Sequence, residues 1–220
     1  MSKIFICFIG IDGSGKSTLA SKIFEKIRLG DKKVRKTYGR HLPLLTKFLI
    51  LVGRHLFLKN VDMFQDSDKY LAEKKRIFAK TSRLANLYIS LIILECYLEI
   101  IFKIVIPLKL GYSIVSDRYV YDTIISDIAV DLDFSIKNVN ELLKTFWRFI
   151  PKPDVTFLVQ VPEEVCMKRK NDIPSLNYLK MRSRLYNELT TSEKIVVLDG
   201  TMDLLELENM AYKEISKIVK

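Results

Sequence analysis

Cysteine is scarce in this chain, and what there is stands apart. Only three occur in 220 residues. Cys7, Cys96 and Cys166 each fall inside an apolar stretch, with no CxxC or metal-ligand spacing between any two. That pattern excludes a disulfide-stapled fold and a structural zinc site, and reads as buried thiols in a reducing, cytoplasmic setting. Histidine is scarcer still: His41 and His55 have no ligand partners near them in sequence, so no histidine metal centre is expected. No signal peptide opens the chain, because the apolar segment after Met1-Ser2-Lys3 runs quickly into glycines without a small-residue cleavage site. There is no internal repeat, no low-complexity segment and no linker, so one domain over residues 1–220 is expected.

Nor is there an uncharged hydrophobic run long enough to span a bilayer. The nearest is LYISLIILECYLEIIFKIVI, residues 87 to 106, which is interrupted by Glu95, Glu99 and Lys103. Spacing of four places those charges on one helical face, and together they make a spanning helix costly. A long buried helix with one wet edge is the expectation, and no membrane partner.

What the chain has in excess is positive charge: 36 Lys and Arg against 26 Asp and Glu, a net +10, with an isoelectric point near 9.4. Such a surface suits nucleic acid, an anionic membrane or an enzyme that handles polyphosphates. The cations are spread along the chain instead of forming a tail, which favours a phosphate-attracting cleft. At 49% hydrophobic and 28% charged residues the composition is that of an ordinary soluble domain, long enough for one good core.

Strand and helix signals alternate. KIFICFI ends in glycines and reads as a buried strand; apolar positions at Leu19, Ile23 and Ile27 then keep a helical period. Lys33 to Tyr38 reads as a second strand, followed after Pro43 by a helix, and residues 62 to 67 as a loop. Helical patterns then persist to about Ile106, with a break near Thr81-Ser82. YSIVSD, DVTFLVQV and IVVLD read as further strands, separated by helices around 120–130, 135–149 and 162–191, with a closing helix over 203–219. Alternation of this kind predicts an α/β fold of about five parallel strands with helices on both faces.

FIGIDGSGKSTLA, residues 8 to 20, carries the chemistry. Gly10-x4-Gly15-Lys16-Ser17 fits GxxxxGK[ST] in full, between a predicted strand and a predicted helix. Glycines let the backbone wrap a phosphate and turn N–H groups inward, and the helix beginning near Lys16 adds its positive dipole end. Gly10, Gly13, Ser14, Gly15, Lys16, Ser17 and Thr18 are therefore the expected ATP cradle, with Lys16 on the β/γ oxygens and the Ser17 hydroxyl on Mg²⁺. Asp117, closing the apolar strand YSIVSD, is the expected second metal ligand, since ligands gather outside the carboxyl ends of strands in such sheets. Capping of the next helix is its plainer role.

No NKxD motif and no LSGGQ-like signature is present, which sets aside GTPases and transporter ATPases. FIGIDGSGKST at the front, IVSDRY in the middle, VPEEVCMKR leading into a basic segment and IVVLDGTMDLLEL near the end together resemble the thymidylate kinase family, in the family's order and over most of the chain. The resemblance implies a P-loop three-layer sandwich with a short lid at about residues 168–184, ATP with a small phosphorylated or hydroxyl-bearing acceptor, dTMP first, Mg²⁺, and a homodimer formed through the apolar helix at 84 to 106. It implies that Asp12 sits beside the acceptor nucleotide, that Asp117 holds Mg²⁺ or orients the acceptor, and that Arg118, with Tyr119 next to it, clamps the acceptor phosphate. Arg169 would lie over the adenine or touch the donor phosphates, and Gly200 and Thr201 would form the adenine-side loop. Arg169, Lys170, Arg182 and Arg184 are the lid cations, the last two being equally readable as a solvated helix face.

Three departures from the family concern the acceptor. TREPGGT becomes Thr37-Tyr38-Gly39-Arg40-His41-Leu42-Pro43, so an arginine, Arg40, is present but displaced by two residues, and Arg54 reads either as a substitute phosphate ligand or as a simple surface arginine. The arginine and glutamine that hold thymine are missing, their place falling near Tyr97, with Tyr88 or Tyr97 as alternative stacking partners. Asp122 replaces the serine of DRYxxS, a carboxylate that would disfavour a second anion and suit a hydroxyl-bearing acceptor. The leading reading is ATP-dependent phosphorylation of dTMP. Behind it stand a related phosphotransferase with another acceptor and, third, a nucleic-acid-associated P-loop ATPase.

Overall fold

The computed structural model describes residues 3–30, 33–41, 46–47, 50–51 and 67–218. The predicted helix after Pro43, the predicted loop at 62 to 67, Arg54 and His55 lie wholly or largely outside these residues. The first strand, β1 (Phe5–Ile9), is FICFI, and every position is buried. It leads into α1 (Lys16–Gly30) and then β2 (Val34–Tyr38). Helices α2 (Ser67–Lys80) and α3 (Ser82–Ile100) follow, separated only at Thr81. α3 continues through a wide π turn, Ile101–Val105, into Ile106–Lys109. Gly111, at φ +86, makes the turn into β3 (Ser113–Asp117).

α4 (Val120–Thr123) likewise runs on through a π turn, Ile124–Ala129, to Leu132. Then come α5 (Ile136–Phe146), β4 (Val155–Gln160), α6 (Glu163–Arg169), α7 (Leu176–Leu189), β5 (Val196–Asp199) and α8 (Leu204–Ile218). Two of these helices are started by their own capping residues. Ser135 and Ser175 accept from the backbone N–H three residues on, capping α5 and α7, and Pro151 and Pro153 hold the extended entry to β4.

All strand pairs are parallel and the order is β2-β3-β1-β4-β5, so β1 is central. Alternate residues of β1 point to opposite faces. Phe5, Cys7 and Ile9 join a core formed with α3, α4, α5 and α7, while Ile4, Ile6 and Phe8 pack with Leu19, Ile23 and Ile27 of α1 and Leu207, Ala211 and Ile215 of α8. This is the expected three-layer α/β architecture. Each fully buried Ile or Phe of β1 contributes roughly 2 kcal/mol by removal from water, which is why this strand tolerates no polar residue.

The long helix α3 departs from expectation in one respect. Glu95 does not lie on a wet edge; it is buried at 4% exposure and accepts from Thr46 Oγ1 at 2.7 Å, with His41 Nε2 at 2.9 Å. Glu99 and Lys103 pair with each other on the partly exposed side. Among the described residues no helix is long and apolar enough to cross a membrane.

Candidate active site

Four chain segments leave the carboxyl ends of parallel strands side by side and build one cleft. The P-loop follows β1, the Asp117-Arg118-Tyr119 turn follows β3, α6 follows β4, and the Gly200 turn follows β5. The P-loop bends through positive φ at Gly10, Gly13 and Gly15. Gly13 also lies so close to α6 that a Cβ would sit 2.7 Å from the Cys166 carbonyl oxygen. Only glycine fits there.

Lys16 begins α1, is buried, and its Nζ donates to the Ile11 carbonyl at 2.9 Å, so the ammonium is folded over the loop it serves. Burial and the nearby Arg118 guanidinium lower its pKa to about 8. Ser17 and Thr18 are exposed on the first turn, and the Ser14 hydroxyl is buried with no protein partner. Beside them Asp117 is 7% exposed and its Oδ1 is buried without a hydrogen-bond partner. Such an orphaned carboxylate oxygen is costly unless something satisfies it, and a hard cation held with the Ser17 hydroxyl fits that need.

Arg118 adopts a left-handed backbone, φ 71, unusual for a residue with a side chain. Gly39 makes this possible. Its amide donates to the Asp117 carbonyl at 3.0 Å, and a Cβ on it would stand 2.4 Å from the Arg118 carbonyl oxygen. The guanidinium is held from two sides: Nη1 donates to Asp122 Oδ1 at 2.7 Å and Nη2 to Asp12 Oδ1. Burial would push the Asp12 carboxyl up, but Arg118 and then Lys16 outweigh it and bring the pKa to about 2. Tyr178 Oη, from the first turn of α7, donates to the other Asp12 oxygen at 3.2 Å.

Next to this cluster opens a cavity of about 220 Å³, lined among others by Arg40, Lys74, Tyr88, Asp127, Tyr178 and Arg182. Arg40 forms a two-pronged ion pair with Asp127. Burial opposes ionisation of Asp127, yet Arg40 and then His41 overcome it and lower its pKa to about 2. On the far side of the P-loop, Arg169 Nη1 donates to the Gly200 carbonyl at 3.2 Å, and Thr201 Oγ1 to Asp199 at 2.7 Å. The residues read as the adenine side are thus in contact.

The sequence profile of the thymidylate kinase family matches residues 60–211. The chain belongs to the thymidylate kinase family. It is 28% identical over 215 residues, 94% of its own length and 93% of the other's, to a thymidylate kinase of Sulfurihydrogenibium sp. strain YO3AOP1. It is 25% identical to a probable thymidylate kinase of Archaeoglobus fulgidus, over 99% of its length and 95% of the relative's. Its fold matches the crystal structure of thymidylate kinase from Ehrlichia chaffeensis with a TM-score of 0.50 and 18% identity, covering 98% and 99% of the two chains. None of these matches favours a hydroxyl-bearing acceptor or a nucleic-acid ATPase.

Two residues expected at the acceptor stand elsewhere in this thymidylate kinase family member. Asp122 has no exposed surface; it accepts from Arg118, from Tyr186 Oη at 2.8 Å and from the Tyr119 amide at 3.3 Å, so it holds Arg118 instead of meeting an acceptor. The Tyr119 ring is buried too, edge-on to Phe5 at 5.1 Å, with its hydroxyl on the Pro151 carbonyl at 2.9 Å. Tyr97 packs on Phe146 at 4.9 Å, whereas Tyr88 lines the cavity and donates to Asp131 at 2.8 Å. Arg184 is exposed and paired with Glu188, while Arg182 is buried, lies 3.4 Å from the centre of the Tyr178 ring and donates to the Tyr178 and Ser126 carbonyls. Residues 170–175 connect α6 to α7, so most of the segment expected as a lid, 168–184, is helical.

Sequence reasoning missed Tyr178, Tyr186 and Asp127. A signal for the tyrosines was present: 178, 182 and 186 recur every fourth position, which is one face of α7.

Proposed function

We propose that this chain transfers the γ-phosphoryl group of ATP to dTMP, giving dTDP and ADP. The observation that carries the reading is the meeting of Lys16, Asp12 and Arg118 in one cleft of a thymidylate-kinase-family chain. An oxygen of the acceptor phosphate attacks the γ-phosphorus, and the bond to the β–γ bridging oxygen breaks, leaving the electron pair on ADP. Little covalent work is asked of protein; in-line placement and cations around the equatorial oxygens lower the barrier.

The P-loop amides and the N-terminus of α1 hold the donor phosphates, and Lys16 bridges β- and γ-oxygens. Arg118 and Arg40 bring the acceptor phosphate in line from the opposite side. Arg169 and the turn at Gly200 and Thr201 flank the adenine. Mg²⁺, held by Ser17 and Asp117, would supply charge neutralisation between the β- and γ-phosphates. Arg182, stacked on the Tyr178 ring of its own helix and donating to the Ser126 carbonyl at 3.2 Å, ties α7 to the helix after β3.

We further infer a homodimer through α3, where Leu87, Leu94, Leu98 and Phe102 form an exposed apolar stripe at helical spacing. Sedimentation should give a dimer that Leu94→Glu with Leu98→Glu converts to monomer.

A coupled ADP-release assay with MgATP tests the activity. Turnover with dTMP well above dUMP, other monophosphates and no acceptor is expected, and Lys16→Ala should lower it by about a hundred- to a thousand-fold, the scale of losing one group that stabilises transition-state charge. ATP binding without turnover on any nucleotide would overturn the reading.

A further inference from the structure

Arg118 is gripped by two carboxylates that differ in kind. Asp12 stands at the rim, its side chain 19% exposed, while Asp122 is at 0%. A buried ionised carboxylate needs several donors. Asp122 has three: Arg118 Nη1, the Tyr119 amide and Tyr186 Oη. Tyr186 is itself 1% exposed, and its hydroxyl has Asp122 Oδ1 within 2.8 Å. The same helix, α7, also sends Tyr178 to Asp12. Both carboxylates that grip Arg118 therefore take a hydrogen bond from one helix face, two turns apart, and that helix is the one the short lid runs into.

We propose that Asp122 and Tyr186 are positioning residues for Arg118, fixing Nη1 so that Nη2 is the arm presented to the acceptor phosphate. Asp12 is the exchangeable partner: it lies at the surface of the cleft, where an incoming phosphate oxygen can take its place on Nη2. Asp122 is the permanent one, sealed beneath the turn. A guanidinium bound on only one arm swings, and clamps that depend on a fixed fork lose their aim. Because Tyr186 lies on α7, the seating of that helix is read out at the acceptor clamp. This explains why a carboxylate at residue 122 is compatible with an anionic acceptor: its charge is spent on Arg118 and never faces the cleft.

The inference rests on the reading of Arg118 as the acceptor clamp, and the experiment separates the two. Steady-state kinetics of the full chain with MgATP and dTMP would compare wild type, Tyr186→Phe, Asp122→Asn, Arg118→Lys and the Tyr186→Phe/Arg118→Lys double variant. Tyr186→Phe removes one donor and no volume; it should raise the KM for dTMP about ten-fold, the worth of one hydrogen bond to a charged group, with the KM for ATP unchanged. In the Arg118→Lys background the same change should add nothing. Asp122→Asn should exceed Tyr186→Phe in the same direction; should it fail to fold, Tyr186→Phe carries the test.

A second readout is independent of turnover: rotation of the Arg118 guanidinium, followed by side-chain nitrogen NMR, should be slow in wild type and faster in Tyr186→Phe. A lowered Tm with unchanged dTMP KM and unchanged guanidinium rotation would overturn the proposal, as would full additivity with Arg118→Lys. No dTMP turnover in wild type would overturn the proposed function instead, and the NMR comparison would then decide the positioning role alone.

Discussion

Lys16 is a cation that its own surroundings make easy to discharge. Burial first, and Arg118 second, bring its pKa to about 8, so its charge is full below that pH and is lost as the pH rises through it. ATP affinity should therefore fall between about pH 7 and 9, checked by calorimetric titration, and an ATP affinity flat across that window would refute the assignment. The residue's identity was legible from the sequence because GxxxxGKS names both its fold context and its chemistry. Asp122 was not. Its carboxylate was readable, but which way it faced depended on Tyr186, 64 positions further along the chain. No local pattern carries that information. The buried triad of Glu95, His41 and Thr46 escaped for the same reason, since a charged residue at the fourth position after another reads as a solvent face until a distant partner covers it.

At the level of elements, periodicity and punctuation were enough to find every strand and most helices among the described residues. β1 is an uninterrupted apolar run, and β3 and β4 are apolar runs interrupted only by small hydroxyl residues, Ser113, Ser116 and Thr156, as suits strands buried on both faces. The two π turns within α3 and α4 were not legible, because their sequences keep a helical rhythm and differ only in how the backbone is wound. One element contact carries a sharp test. Gly39 lies against the turn that holds Arg118, and the added methyl of Gly39→Ala would meet a backbone carbonyl 2.4 Å away. The substitution should cost about 2–3 kcal/mol in urea unfolding and raise the KM for dTMP, since one loop or the other must shift. An unchanged midpoint would mean that the loops are not packed this closely.

For the whole molecule, stability should fail first on the acid side. Asp12 and Asp127 are both held near 2 against an ordinary 3.8 by neighbouring cations that outweigh their burial. Groups depressed in this way stabilise the fold fully above their unfolded value, and the contribution is lost as the pH falls through the folded one. Thermal melts should drop steeply between about pH 4 and pH 2, and Asp127→Asn should flatten that slope while lowering the plateau at neutral pH. The architecture itself was legible as alternating strands and helices, yet the strand order was not, because nothing within a strand names its neighbours.

The central position of β1 also governs how the molecule comes to be built. Its partners are far away along the chain: the contacts between Ile4 and Ser113 and between Phe5 and Asp154 close loops of 109 and 149 positions. The strand that bears the nucleotide loop is thus made long before the strands it pairs with, and until β3 and β4 exist its five apolar residues have no sheet to join. Long-range parallel pairing is slow and leaves sticky segments waiting. During synthesis this protein should depend on α1 folding back over β1, or on a chaperone, to shield that segment, and slowing translation downstream of β3 should increase aggregation of the nascent chain.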